Sequence, residues 1–335
     1  MESPAIERAP YGRLRESVER ERKPVPADEE KTYYDLPALN PSHYGQLVAS
    51  YLFIGGIAGA SQVIATIADF HGGEKTRFIV RAGRYLALAG ACTGPVFLVA
   101  DLHTPERWYN MLRIFRRTSS MSIGSWTLAL FGTISAITAG AQLLGDRTGS
   151  RRLLGTARAL GVPAAASGAV LATYTGTLLG ATSTPIWAGA DRFLPALFGA
   201  SAVLTSTAAL SCAAELSGAD PNAGRALRRL SLIAGAAEWL IDSAMENQLK
   251  RAELDEPLNE KPIAVFHRVG YKGLGMIAPL IVNGLMLLAG RRSRRLSLAA
   301  AAATLAGGYI MRSVTLAAGR RSAQRPRDYF RYTER

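Results

Sequence analysis

Two cysteines and four histidines are all that 335 residues offer as thiolate or imidazole ligands. Cys92 and Cys212 fall short of the four thiolates that an iron–sulfur cluster or a structural zinc site needs. Both lie in apolar stretches and read as small buried residues. His43, His71, His103 and His267 fall at the ends of apolar segments or in loops. A diheme anchor needs facing axial histidines inside the membrane, and no pair is placed to serve. Acid is scarce too: 26 Asp and Glu stand against 39 Lys and Arg, a formal charge of +13. Charged residues are only 19% of the chain, and they gather at its two ends and in short clusters.

Between those clusters run eight apolar stretches: about Tyr44–Ala68, Tyr85–Val99, Ile123–Leu144, Leu160–Gly180, Phe193–Ala214, Leu227–Met245, Val269–Leu288 and Leu296–Ala318. Each approaches the roughly 20 residues that cross a hydrocarbon core. They lack the alternation of barrel strands, and in lipid only helices or closed barrels satisfy the backbone. The expectation is an all-α integral membrane protein with eight transmembrane helices. The 33 glycines among many Ala, Ser and Thr suit close helix packing in lipid. Residues 1–43 read as a polar tail, 44–318 as the membrane domain and 319–335 as a basic tail. The first tail shows no basic start, apolar core and small-residue site of a cleavable leader.

An even number of crossings puts both termini on one side. Lys and Arg divide fifteen to sixteen between the side away from the termini and the terminal side. The fifteen sit in shorter loops with fewer acids, so the termini are expected outside the cell. The positive charge reads as Arg collars against anionic headgroups, and no nucleic-acid partner is expected.

The loop after the second segment reads Asp101-Leu102-His103-Thr104-Pro105-Glu106-Arg107-Trp108-Tyr109-Asn110-Met111-Leu112-Arg113. Trp108, Met111, Leu112 and Phe115 recur at helical spacing with arginines between them, which predicts an amphipathic interfacial helix. It is either a structural segment on the headgroups or a docking surface beside a site where Asp101, His103 and Glu106 exchange protons. Arg107 orients that loop or pairs with a carboxylate. Tyr174, one to two turns inside the end of the fourth segment among small residues, leaves room for a flat ring and offers it a phenolic hydrogen bond. The alternative is an aromatic-belt residue.

The sixth segment carries Glu238, Asp242 and Glu246. Spacings of four and eight put all three on one helix face, drifting about 40°. Three carboxylates in hydrocarbon are costly. They are either solvated or paired at the membrane surface, or they form a proton-conducting row. Arg312 needs a buried partner, one of these acids or Asp101. Glu215 and Asp69, at segment ends, are expected to be solvated.

The chain resembles the membrane subunits of the polysulfide reductase family, also called NrfD-like or PsrC-like. Four passages carry the resemblance: the glycine run Tyr51–Ala60, the loop Asp101–Arg113 continuing through Thr118–Trp126, the stretch Tyr174–Trp187, and Arg312–Ala323. It spans about residues 33–329. The resemblance implies two four-helix bundles, about 44–180 and 193–318. It implies no haem and no iron–sulfur cluster in this chain, and a site for a quinone or quinol, menaquinone or ubiquinone. It also implies a partner with [4Fe–4S] clusters and, beyond that, a molybdopterin catalytic subunit. By motif, Tyr174 is the hydroxyl that bonds a quinone oxygen. The Asn and His that some members use near the start of the first helix correspond to Val48 and Tyr51. Asn40, His43 and Gln46 lie nearby as substitutes.

The expected function is therefore a quinone-reactive membrane subunit of a multi-subunit oxidoreductase in a prokaryotic cell membrane. It would anchor the complex and exchange electrons with an iron–sulfur partner. The terminal substrate belongs to other subunits. A plain anchor and a proton- or ion-translocating protein are the alternatives.

Overall fold

The computed structural model describes residues 39–290 and 293–333. Most of the polar tail expected over 1–43 lies outside them. The described residues are helical, with no strand among them. Eight long helices account for most of the chain: α1 Gln46–His71, α2 Arg77–Ala100, α3 Ser120–Thr148, α4 Arg151–Gly180, α5 Leu194–Ser217, α6 Pro221–Arg251, α7 Ile263–Leu288 and α8 Arg294–Ala323. A ninth, α9, covers Pro326–Thr333. Each expected apolar stretch falls on one of the eight, most of which run several residues further into a polar flank at one end or both. Six of them, all but α6 and α8, are long and apolar enough to cross a membrane.

The turns on the side away from the termini follow from local chemistry. Gly73, Gly149, Gly218 and Gly290 adopt positive φ, which stops one helix sharply. Ser150, Asp220 and Ser293 then cap the next helix by accepting a backbone N–H. The terminal side is built differently. Its connections, 101–119, 181–193 and 252–262, are longer, with only short helical turns. Long connections on a rigid scaffold are where binding chemistry collects.

Helix α1 packs against α2 and α4, and α3 packs against the same two. Helix α5 packs against α6 and α8, and α7 packs against the same two. The two groups meet where α1 and α4 touch α5 and where α1 touches α8.

Exposure is inverted relative to a water-soluble protein. On α6, Ile233, Trp239 and Leu240 are 68%, 47% and 61% exposed, while Glu238 and Asp242 are each 1% exposed. A helix that buries its acids and presents its apolar side chains is matched to lipid. The cysteines correct the sequence reading. Cys92 is exposed and Cys212 half-buried, both as free thiols, because α2 and α5 each turn part of an apolar face outward.

Helix α7 departs from α-geometry over Phe266–Ile277, which is a π-helix. Its bonds run from i to i+5, so residues five apart share one face. In an α-helix the same two residues would diverge by about 140°.

Candidate functional site

Two groups of polar side chains converge toward the terminal side. The first lies around the entry to α1. Tyr174 is buried, and its hydroxyl donates to the backbone carbonyl of Ser120 at the start of α3. Gly124, one turn along α3, gives its ring space. Tyr51 of α1 is buried within electrostatic reach of Tyr174, and the half-buried Tyr44 is also within its reach. Tyr44 stacks on Trp187 with ring centroids 6.1 Å apart, and burial pushes its phenol pKa up.

A cavity of about 630 Å³ opens beside this entry. Asn40, His43, Arg320 and Gln324 are among its lining residues. Arg320 also donates to the carbonyl of Tyr44 at 2.7 Å. Tyr174 does not line the cavity. Gln46 turns toward α8, where its Oε1 accepts from Tyr309 at 3.1 Å and Ser313 at 3.2 Å.

His43 meets His103 edge to face at 6.2 Å, which brings the loop after α2 against the entry to α1. His103, Glu106 and Arg107 are exposed and Asp101 is half-buried. Among the described residues no hydrogen bond or ion pair joins Asp101, His103 and Glu106. The expected amphipathic helix is shorter than its apolar spacing suggested. Pro105–Leu112 is a 3-10 turn kinked at Arg107, and Phe115 lies beyond it. Ser122 holds the segment in place, accepting from the Arg116 backbone and donating to the Ile114 carbonyl.

The second group fills α5 to α8. Helix α6 turns Glu238, Asp242 and Glu246 inward, and α7 answers with His267, Tyr271 and Lys272. Lys272 lies 2.7 Å from Asp242 and 2.8 Å from Glu246. His267 Nδ1 is 3.7 Å from Glu246, and its ring stacks on Tyr271 at 5.8 Å. Further in, Glu238 meets Tyr271, Ser201 and the charge of Arg312. Arg312 is fully buried. It donates to the Leu52 and Gly308 carbonyls at 3.2 and 2.8 Å and to Ser201 at 3.2 Å, between the rings of Phe53 and Phe198. Of the expected partners, Glu238 is the acid within its electrostatic reach. The row thus descends from Glu246, 23% exposed near the terminal side, to a buried arginine bonded to α1.

Sequence reasoning missed Lys272, because an α-helical register turns it away from His267. It also missed a third group near the opposite side. Arg84, 2% exposed, pairs with Asp69 at 2.8 Å and donates to Gln142 and, at 3.0 Å, to the Ala157 carbonyl. One guanidinium thereby bonds α1, α3 and α4. Asp69 was expected to be solvated; the unmet charge of Arg84 holds it instead. Asp69 itself stays half-buried, whereas Glu215 is buried, not solvated.

A family model described as polysulphide reductase, NrfD, matches residues 36–322. No curated protein matches the chain.

Proposed function

The chain belongs to the polysulphide reductase NrfD family, and on that premise we propose that it is the quinone- or quinol-reactive membrane subunit of a multi-subunit oxidoreductase. Members of this family are membrane subunits of redox enzyme complexes, partnered with iron–sulfur and catalytic subunits. In this reading all eight long helices cross a prokaryotic cell membrane as two four-helix bundles, α1–α4 and α5–α8. The inverted exposure of α6 supports its crossing despite its charge.

The observation that carries the quinone reading is the buried tyrosine entry beside a 630 Å³ cavity on the side with the long loops. A volume of that order suits a ring with a polar edge. Tyr174 would offer its hydroxyl to a quinone oxygen by releasing the Ser120 carbonyl. Tyr51 would flank it, while His43 and Gln46 would stand at the mouth. Asp101, His103 and Glu106, beside His43, would pass protons between the ring and water, and Arg107 would hold that loop. When bound, the quinone supplies two-electron, two-proton redox chemistry. The chain's own part is to seat it, exclude bulk water and present protons. An iron–sulfur subunit docked on the terminal side would exchange electrons with it, and a molybdopterin subunit would act on the terminal substrate.

The test is Tyr174→Phe in the purified complex. Quinone-linked turnover should fall at least tenfold while activity of the partner subunits with a soluble dye is kept. Unchanged quinone-linked turnover would remove Tyr174 from the site. If isolated wild-type protein holds no titratable quinone, the plain-anchor reading replaces this one.

A second reading rests on the row from Glu246 to Arg312. Carboxylates four residues apart, reaching from a partly exposed mouth to a fully buried arginine, suit stepwise proton movement coupled to the redox reaction. Proton uptake by proteoliposomes during turnover, compared between wild type and Glu238→Gln, tests it.

A further inference from the structure

The mouth of the second bundle holds a seat for a positive charge, built by two helices. Asp242 and Glu246 are one turn apart on α6. Lys272 reaches across from α7 and places Nζ 2.7 Å from one and 2.8 Å from the other. His267, five residues before Lys272 on the π-helical stretch, presents Nδ1 to the same Glu246 carboxylate at 3.7 Å. One donor atom from each of Asp242, Glu246 and His267 lies within 4.8 Å of the other two.

Three further observations point to a ligand. Asp242 is 1% exposed, and beyond the ion pair with Lys272 neither of its oxygens has a hydrogen-bond partner among the described residues. The ammonium beside it is held by charge more than by direction. The connected row has three carboxylates, Glu238, Asp242 and Glu246, against two fixed cations, Lys272 and Arg312. With all five ionised it is one positive charge short, and a buried deficit of that kind is met either by a proton or by a further cation. The seat lies within reach of the surface, since the Glu246 and Lys272 side chains are 23% and 18% exposed.

The donor chemistry narrows the choice. One imidazole nitrogen and two carboxylate oxygens suit a borderline divalent ion such as Zn²⁺. Bonds of about 2.0–2.2 Å require the three donors to close by roughly an ångström. We propose that Asp242, Glu246 and His267 form a divalent-cation site of the Zn²⁺ class, with Lys272 as its tethered competitor. While Nζ lies between the two carboxylates it holds the ion's place. When the side chain swings toward the open mouth, the ion enters and closes the route to Glu238. Bound metal would therefore act as a plug at this end of the row.

The experiment uses the full-length chain, purified without a polyhistidine tag, with Zn²⁺ read by calorimetry and Co²⁺ by visible absorption. Lys272→Met should bind one Zn²⁺ at least tenfold more tightly than wild type and show a Co²⁺ ligand-field band. Adding His267→Ala should weaken Zn²⁺ at least tenfold and remove the band. Equal affinity of wild type and Lys272→Met overturns the proposal, as does tight binding that survives loss of His267. Should Lys272→Met not be recovered folded, wild type is compared with Glu246→Gln. A tenfold weakening is expected, and unchanged Zn²⁺ affinity overturns the site.

Discussion

Gly124 lies so close against Tyr174 that a methyl group at position 124 would sit within 2.6 Å of the phenolic oxygen. The hydrogen bond from Tyr174 to the Ser120 carbonyl depends on that missing side chain. Gly124→Ala should therefore displace the ring while leaving its chemistry intact. The expected outcome is a fall in quinone-linked turnover comparable to that of Tyr174→Phe, with the helical content of the purified protein unchanged by circular dichroism. Full activity in Gly124→Ala would mean that the position of the ring does not matter.

Arg84 predicts a stability effect far from that site. It is buried and bonds three helices at once through Asp69, Gln142 and the Ala157 carbonyl. Removing one partner of a buried pair leaves the other charge uncompensated, at a cost of about 3–5 kcal/mol. Asp69→Ala should lower the thermal midpoint in detergent by several degrees or more. Asp69→Asn, which keeps a hydrogen-bond acceptor, should lose less. Equal midpoints for wild type and Asp69→Ala would show that the pair contributes nothing.

The positions of the helices are legible in the sequence because charge marks the ends of each apolar stretch and glycine marks the turns. The inward face of α6 is legible too, since only a shared helical face brings Glu238, Asp242 and Glu246 together. Arg84 is not legible in the same way. It sits within a basic cluster that reads as a collar, and only the packing of four helices shows that it points inward. Lys272 is hidden by geometry, because its place beside Glu246 exists only in the π register, which periodicity does not announce. At the tyrosine entry, a belt tyrosine and a buried one look alike in sequence. What separates them is Gly124, 50 residues away.

Asp328 predicts a pH effect outside the membrane. Its carboxyl is fully buried beneath α9, with Arg325 Nε 3.5 Å away. Burial raises its pKa, and Arg325 only partly opposes this. The folded state therefore binds this proton more tightly than the unfolded state. The stability it contributes is complete below about pH 3.9 and is lost as pH rises through the folded value. Asp328→Asn should remove that slope, so α9 in the variant should be at least as protected at neutral pH as in wild type. Hydrogen exchange over 326–333 between pH 4 and 7 measures this. A variant still less protected at pH 7 than at pH 4, as wild type is expected to be, would show that Asp328 is not the source of the slope.

The contact of α7 with α8 admits no relief through side chains. Gly275 and Gly307 face each other backbone to backbone, and a methyl group on Gly307 would lie 2.9 Å from the carbonyl carbon of Gly275. Overpacking a tight core costs about 1–3 kcal/mol, and more where only backbone can move. Gly307→Ala should push α8 away from α7 and loosen the pocket that Glu238, Tyr271 and Ser201 share. Thermal stability should fall with it.

Arg312 and Glu238 supply the sharpest energetic test. Arg312 is bonded to α1 through the Leu52 carbonyl, so it belongs to the junction of the two helix groups as well as to the acid row. Arg312→Met removes three hydrogen bonds and leaves Glu238 without its nearest fixed cation. Glu238→Gln, alone, leaves Arg312 without its acid. If the two act as one buried unit, each single change costs about 3–5 kcal/mol, and the double variant loses clearly less than the sum. A coupling above about 0.5 kcal/mol in a double-mutant cycle of detergent unfolding marks that unit. Strict additivity would place Arg312 with the α1 carbonyl alone, as a clamp between the helix groups, and the acid row would then end at Tyr271 and Ser201.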